Sequence, residues 1–193
     1  MGEPSRRLRY NVAISLDGFI APLNETAGSI VQGNNISFDD LYAQCDTFLM
    51  GRKTHDRMFR WVSRIRCENI PRKVVSKTLK SEHHPAITIV SEDFIGYVAD
   101  LKHTEGRDIW LMGGEQLVGS CIDAGILDSV ETAIMPLMLR KGVRMAGESA
   151  QEPLGGLKLE LMDCRQWETS GIVMCKYNIR RQMAASLGEA MFG

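Results

Sequence analysis

Short apolar runs of strand length alternate along the chain with segments in which apolar residues recur at helical spacing. Residues 8–16, LRYNVAISL, form an apolar, β-rich run that predicts a buried first strand. Apolar residues between Phe94 and Leu101 recur at helical spacing and predict a helix over 93–103. By the same reasoning, strands are predicted at 47–51, 72–77, 86–90, 108–114 and 128–138, and helices at 37–45, 52–59 and 115–125.

The end of the chain has a different pattern. Residues 157–167 and 172–180 alternate in side-chain type around the sequence ETSG, which predicts a long antiparallel hairpin. Strands that alternate with helices and are followed by a hairpin predict an α/β fold, with a central mixed, mostly parallel sheet and flanking helices. No internal repeat or low-complexity linker interrupts the sequence. We therefore expect one domain over 8–180, with tails at 1–7 and 181–193.

A long segment rich in Gly, Asn and Pro separates the first predicted strand from the first predicted helix. Loops of this length inside compact domains are usually functional. We expect residues 17–37 to form a mobile lid over a bound ligand.

Composition limits the classes of protein that fit. Of 193 residues, 44% are hydrophobic and 24% are charged, and the formal net charge is −1. This balance is typical of a globular domain and gives no overall attraction to nucleic acid or to an anionic membrane. No apolar stretch approaches the roughly 20 residues of a membrane-spanning helix, and no secretory signal is recognisable. Five widely spaced cysteines without a C-x-x-C pair indicate the cytoplasm. The pair His83-His84 has no second ligand cluster, so no metal site is expected.

Three predicted strands end in small, hydroxylic or cationic residues: GRKT at 51–54, SKT at 76–78 and GG at 113–114. Ligands bind at the carboxyl ends of parallel strands, where helix N-termini also attract phosphate. The glycine pair lets a pyrophosphate approach the main chain, and the cations of the other two segments can hold a phosphate monoester. No G-x-G-x-x-G motif and no P-loop lysine is present. NADPH carries both a pyrophosphate and a 2′-phosphate, and we expect it as the cofactor.

Five motifs in series, VAISLDGFIA, FLMGRKT, RKVVSK, IWLMGGEQL and AGILDSVETAIMP, resemble the dihydrofolate reductase-like superfamily. Within it, the sequence is most similar to the bacterial bifunctional deaminase-reductase C-terminal domain family, which includes riboflavin-pathway reductases. The resemblance covers residues 8–180, the terminal hairpin included. It implies a mixed sheet of about eight strands with flanking helices, NADPH as the hydride donor, and a homodimer.

The resemblance also implies cofactor-binding roles. Core packing is the alternative for the apolar members of the set, and favourable charge at a helix start is the alternative for the acidic one. The implied residues are Ala13 and Ile20 at the nicotinamide; Gly51, Arg52, Lys53 and Thr54 at the adenosine side and phosphates; Ser76 and Lys77 at the 2′-phosphate; and Gly113, Gly114, Glu115, Gln116 and Leu117 at the pyrophosphate.

Three carboxylates are candidates for the catalytic side of the site. Dihydrofolate reductases place one acid early in their first helix, and Asp39 or Asp40 lies near that place. Asp17 matches the S-x-D-G pattern of the family, and it either contacts the substrate or starts the turn that Gly18 completes. For Asp39 and Asp40 the alternative is an exposed charge at a helix N-terminus. The choice of proton donor stays open between these acids and water.

Two stretches depart from the riboflavin-pathway pattern. Residues 55–71 lack its D-x-P-x-L segment, and Arg140 stands where a glycine is expected after Pro136. Arg140 and Lys141 either bind another acidic group or form an ordinary solvated pair.

These departures favour an NADPH-dependent oxidoreductase that transfers hydride to a C=N, C=C or C=O group of a small, planar or heterocyclic secondary metabolite. The alternative is a riboflavin- or pterin-pathway reductase that acts on a diaminopyrimidine ribosyl phosphate or on dihydrofolate. An alternative of another class is a non-catalytic nucleotide-binding or protein-interaction module. The substrate, the bond reduced, the stereochemistry and the pathway are not determined by the sequence.

Overall fold

A computed structural model describes residues 6–23, 43–58, 70–148 and 156–180 of the chain. The catalytic candidates Asp39 and Asp40 lie outside the described residues. So do most of the predicted lid, most of the predicted helix at 37–45 and the C-terminal tail. The predictions that concern these segments stay predictions.

One sheet of eight strands forms the centre of the molecule, and the predicted fold class is confirmed. From edge to edge the strands run in the order β5-β4-β3-β6-β1-β7-β10-β9. The first six are mutually parallel, while β10 pairs antiparallel with both β7 and β9 as the predicted C-terminal hairpin. The strands are β1 (Leu8–Ser15), β3 (Cys45–Gly51), β4 (Arg72–Val75), β5 (Thr88–Val90), β6 (Asp108–Leu111), β7 (Ser129–Met135), β9 (Leu159–Trp167) and β10 (Ile172–Ile179).

A second, two-stranded sheet was not predicted. Strand β2 (Phe19–Ala21) pairs antiparallel with β8 (Val143–Arg144), so the start of the expected lid is a strand and not a loop. The close approach depends on Gly142, because a Cβ at this position would lie 2.3 Å from the carbonyl oxygen of Ala21. Strand β8 could not be predicted, since two residues are too few to show an alternating pattern.

Helix α1 (Arg52–Met58) follows β3, α2 (Phe94–Lys102) precedes β6, and α3 (Glu115–Asp123) precedes β7. Asp93 caps α2 by accepting a hydrogen bond from the Gly96 amide at 3.0 Å. The bounds of these helices agree with the predicted ones to within a few residues. Cys45 is a correction, because it was assigned to the end of a helix and begins β3 instead.

Both faces of the sheet are covered by apolar side chains. Along β3 the side chain of Leu49 packs into a cluster that includes Val98 of α2 and Val118 of α3. Its neighbour Phe48 points to the opposite face, where its ring meets Trp110 edge to face at a centroid distance of 5.3 Å. The alternation of strand side chains therefore divides the core into two layers around the sheet.

A buried ionic cluster links β1 to its neighbours. The Arg9 guanidinium donates to both carboxylate oxygens of Glu131, at 2.8 and 2.9 Å, and to Asp108 at 3.2 Å. Asn11 and Lys176 also approach Glu131. The bidentate contact with Glu131 is the main compensation for the buried charge of Arg9.

Arg6 shows that the ordered fold begins before the predicted domain boundary. Its side chain is buried and forms an ion pair with Asp46. It also donates to the Arg107 carbonyl at 2.6 Å and to Thr47 Oγ1 at 2.7 Å. Arg6 therefore connects the start of β3 to the turn that precedes β6.

Glu131→Ala is expected to lower the free energy of unfolding by about 3–5 kcal/mol, because it leaves the buried Arg9 without its main counter-charge. Urea denaturation followed by circular dichroism measures the loss. Glu160→Ala is the matched control. Its contact with Arg180 is exposed and 3.9 Å long, so its loss is expected to stay within about 1 kcal/mol. Equal losses in the two variants would contradict the assignment.

Candidate cofactor and substrate site

Two of the three predicted anion-binding segments, 51–54 and 113–114, lie at the ends of β3 and β6. The two strands are parallel neighbours, so their carboxyl ends lie at the same edge of the sheet. There the Gly51 amide donates to the Gly113 carbonyl at 3.0 Å, and the Met112 amide donates to the Leu49 carbonyl at 2.9 Å. Segments that are more than sixty positions apart in the sequence are thus joined main chain to main chain.

Glycine leaves the main chain bare at this junction. Gly113 has φ +100°, a conformation that L side chains rarely adopt, and the peptide bond to Gly114 is cis. A Cβ at Gly114 would lie 3.7 Å from Thr54 Oγ1, and one at Gly51 would lie 4.0 Å from the Gly113 carbonyl oxygen. The backbone of Gly51, Gly113 and Gly114 and the Thr54 hydroxyl therefore lie close together where α1 and α3 begin.

Helix α3 presents its N-terminus to this surface. Gly114 occupies the N-cap position, and the Val118 amide makes a hydrogen bond of 3.1 Å to its carbonyl. The amides of Glu115, Gln116 and Leu117 precede this bond, and such first-turn amides have no acceptor within their own helix. A phosphate group is the kind of ligand that they bind. The Leu117 side chain is buried in the core, so any contact of Leu117 with a cofactor is made by its main chain.

The third segment joins the other two through Arg52. The Arg52 guanidinium donates to Thr78 Oγ1 at 3.0 Å, next to the exposed Lys77. Ser76 Oγ accepts from the amides of Thr78 and Leu79, at 3.2 and 3.1 Å, and so shapes the turn after β4. The Arg52 side chain is 48% exposed, and Lys53 is exposed as well. Three cations therefore lie on the segments that border the glycine junction.

A loop that the sequence did not single out packs against α3. The Gly147 amide donates to the Glu115 carbonyl at 2.7 Å, and the Arg144 amide donates to Glu115 Oε2 at 3.3 Å. A Cβ on Gly119 would lie only 3.2 Å from the Gly147 carbonyl oxygen. The Glu115 carboxylate is thus hydrogen-bonded to β8. The available sequence signal was Gly119, an unexplained glycine inside a predicted helix.

The two residues assigned to the nicotinamide lie near the carboxyl end of β1. Ala13 pairs with Ala133 across β1 and β7 and packs against the apolar cluster of β7 and β10. Ile20 lies on β2 and is half-buried. Ala13 therefore packs in the core, as its alternative interpretation proposed. A contact with the cofactor stays a prediction for both Ala13 and Ile20.

Asp17 holds two loops together. Its Oδ1 accepts from Ser15 Oγ at 2.6 Å and from the Leu139 amide at 3.0 Å, and its Oδ2 accepts from the Arg140 amide at 2.7 Å. The Ser15 hydroxyl, together with the amides of Arg140 and Leu139, lowers the pKa of Asp17 below its ordinary value of 3.8. The carboxylate is ionised near neutral pH and already accepts these hydrogen bonds. The geometry favours the turn-forming role of Asp17 over that of a proton donor, and a contact with substrate stays a prediction.

Arg140 occupies a position at which the sequence pattern expects glycine, and its backbone explains that expectation. It has φ +62°, in the left-handed region that glycine adopts most readily. The hydrogen bond from its amide to Asp17 holds the turn in this conformation. The turn places the cationic side chains of Arg140 and Lys141 in solvent beside Asp17.

The described segments contain no group of three or more His, Cys, Asp and Glu side chains that could hold a metal ion. None of the helices within those segments has the length and apolar character needed to cross a membrane.

The fold is an α/β sheet with a parallel centre, and glycines and cations lie at the carboxyl ends of its neighbouring strands. The model of the RibD C-terminal domain family matches residues 6–173. The chain belongs to this family, whose members form the reductase domain of the riboflavin pathway. The resemblance stated from the motifs is therefore confirmed, as is an oxidoreductase-type family for the chain.

Individual relatives resemble the chain in sequence or in fold. The uncharacterized protein YyaP of Bacillus subtilis (strain 168) is 27% identical over 184 residues, covering 90% of this chain and 95% of that protein. A Shewanella sp. PV-4 protein named for riboflavin biosynthesis has a crystal structure that superposes with a TM-score of 0.75 at 21% identity, covering 91% of this chain and 99% of that one. A Thermotoga maritima deaminase/5-amino-6-(5-phosphoribosylamino)uracil reductase superposes with a TM-score of 0.66 at 13% identity, and the match covers 91% of this chain and 57% of that one.

The two functional alternatives from the sequence are not equally supported by these comparisons. They do not confirm the expected secondary-metabolite reductase, and they agree better with the riboflavin-pathway alternative. Of the two departures that favoured the first interpretation, the one at Arg140 lies in a turn beyond β7. Loops vary more among relatives than the strands that carry them.

Asp17→Asn is expected to speed hydrogen exchange of the Arg140 and Leu139 amides about tenfold, because a neutral amide oxygen is a weaker acceptor than a carboxylate. Exchange measured by NMR or mass spectrometry tests this. Asp100→Asn, at an exposed position on α2, is the control and leaves these amides unchanged. In the wild type the folded pKa lies below 3.8, so the protection is complete above that pH and is lost as the pH falls through the lowered pKa. Protection that disappears already near neutral pH would contradict this role.

Proposed function

We propose that this protein is an NADPH-dependent reductase of riboflavin-pathway type. The observation that carries the proposal is the convergence of residues 51–54, 76–78 and 113–114 at one edge of the sheet, joined by the contacts Gly51–Gly113 and Arg52–Thr78. Glycines whose Cβ atoms would occupy this surface fit a pyrophosphate that approaches the main chain.

NADPH would supply the hydride, and the protein would supply binding and orientation. The first-turn amides of α3 would bind the pyrophosphate. Arg52, Lys53 and Lys77 would bind the 2′-phosphate, and their exposure suits a charged group that stays partly hydrated. Ala13 and Ile20 would provide an apolar wall at the nicotinamide end.

The substrate that this proposal favours is a phosphoribosylaminopyrimidine, as in the name of the Thermotoga maritima relative. Its ring would lie at the carboxyl ends of β1 and β7. Arg140 and Lys141 emerge beside these strand ends and would attract the ribose phosphate. The Asp17 carboxylate would position the turn that carries Arg140. A cytoplasmic homodimer remains part of the proposal, and analytical ultracentrifugation tests the dimer.

Arg52→Ala is expected to weaken NADPH binding roughly tenfold or more while it changes NADH binding little, since a charge-assisted hydrogen bond contributes about 1.5–3 kcal/mol. Isothermal titration calorimetry with both cofactors measures the difference, which shrinks at high salt. Arg72→Ala is the matched control. Arg72 is the first residue of β4 and so lies at the amino ends of the strands, whereas the proposed site lies at their carboxyl ends. An equal loss for NADPH and NADH in Arg52→Ala would remove Arg52 from the 2′-phosphate site.

Gly113→Val is expected to abolish the binding of NADPH and NADH alike, because φ +100° disfavours any L side chain and a branched one would shift the main chain that leads into α3. Circular dichroism and thermal unfolding establish that the variant is folded. Gly125→Val is the control for strain alone. Gly125 also has positive φ, at +66°, but lies at the far end of α3. Unchanged cofactor binding in a folded Gly113→Val would place the pyrophosphate elsewhere.

Turnover divides the possible substrates. NADPH oxidation is followed with the phosphoribosylaminopyrimidine, with dihydrofolate, and with a panel of imines, enones and ketones. Activity that is highest on the first compound supports the proposal. Activity confined to the panel would return the protein to the secondary-metabolite class. NADPH binding without turnover on any compound would favour a non-catalytic nucleotide-binding module.

A further inference from the structure

Two cysteines face each other across the C-terminal hairpin. Cys164 on β9 is paired with Cys175 on β10 in the antiparallel ladder, and their Sγ atoms lie 3.6 Å apart. Opposed residues in such ladders have Cα atoms roughly 4.5–5.5 Å apart, and disulfides span Cα separations of about 4.4–6.8 Å. A side-chain rotation is therefore enough to bring the two sulfurs to bonding distance.

The two thiols differ in access to solvent. Strand β9 forms the edge of the sheet, and Cys164 is exposed on it. Cys175 is buried at 7% exposure, beside Cys164 on the neighbouring strand. A reagent in solution reaches Cys164 first, and Cys175 is held where it can react with the product.

The other described cysteines are placed differently. Cys45 and Cys121 are buried in separate core clusters. Burial raises the pKa of Cys45 to about 11 and that of Cys121 to about 12, and it also keeps both thiols from reagents in solution. Their environments suit structural packing, whereas Cys164 combines exposure with a partner thiol.

We propose that Cys164 and Cys175, the hairpin thiol pair, are a reversible disulfide modification site that is oxidised by hydroperoxides. The Cys164 thiolate attacks the terminal oxygen of the hydroperoxide, which breaks the O–O bond, gives a sulfenic acid at Cys164 and releases the alcohol, or water in the case of hydrogen peroxide. The Cys175 sulfur then attacks Sγ of Cys164 and expels water. The two thiols lose two electrons and two protons, and the hydroperoxide is reduced by two electrons.

The disulfide would fasten the edge strand to the rest of the sheet. Strand β9 pairs only with β10 in the described sheet, and its side chains are exposed along nearly its whole length. A covalent link between the two strands restricts the unfolded chain and resists fraying of the edge. Reduction by a small dithiol would restore the free pair.

Oxidation is expected to be faster at higher pH. The hydrogen bond with Cys175 is the largest cause that raises the pKa of Cys164 above its ordinary 9.0, and the charge of Asp163 adds to it. Tyr177 on β10 is a further titratable group and hydrogen-bonds with Cys175, while Arg165 and Lys176 follow the two cysteines along their strands. Below this pKa, the thiolate fraction of Cys164 and the rate of oxidation rise roughly tenfold per pH unit.

The test treats the full-length reduced protein with hydrogen peroxide and maps its cysteines by peptide mass spectrometry. The expected product is a Cys164–Cys175 disulfide, with a loss of two hydrogens, a melting temperature raised by roughly 5 °C and full reversal by dithiothreitol. Cys164→Ser removes both the disulfide and the shift in melting temperature. It is expected to fold normally because position 164 is exposed. Cys67→Ser is the matched control and retains both.

Three patterns of oxidation would overturn the proposal. They are stable sulfinic or sulfonic acid at Cys164, a disulfide between two copies of the chain, and preferential oxidation of another cysteine. Protein that stays fully reduced at a peroxide concentration that oxidises free cysteine also contradicts it. None of these readouts depends on cofactor binding or turnover, so the proposal can fail while the proposed function stands.

Discussion

The parallel pairing of β3 with β6, closed by the hydrogen bond from Gly51 to Gly113, is the contact on which the site depends. It brings two distant strand ends together without any side chain between them. Gly113 adopts a conformation that other residues resist, and neither glycine adds a side chain at this junction. The positive end of α3 and the cations of the neighbouring turns then act on one common surface.

Around this surface, polar contacts and close backbone approach position the loops. Asp17 ties the turn after β1 to Leu139 and Arg140, beyond β7. Gly119 lets the loop of Gly147 approach α3. Each contact joins segments that lie far apart in the sequence. A substitution in such a loop, as at Arg140, can therefore leave the sheet that presents it unchanged.

Much of the fold was predictable because strands and helices are local patterns. The eight strands of the main sheet, the C-terminal hairpin and the three described helices were all anticipated to within a few residues. The glycine and cationic segments were also found, since residue type at a strand end carries chemical information. The pairing of β2 with β8 was not predicted, because both strands are too short to show an alternating pattern. The loop of Gly147 was not predicted either, because its contact is with Glu115 on another element.

The sequence by itself determined which residues alternate, which strands end in glycine or cations, and to which family the motifs are similar. Only the tertiary structure decided that these strand ends meet, that Asp17 supports a turn, and that Cys164 faces Cys175. The reason is physical. Periodicity and residue type depend on neighbours along the chain, whereas strand order and register depend on the total packing of the sheet.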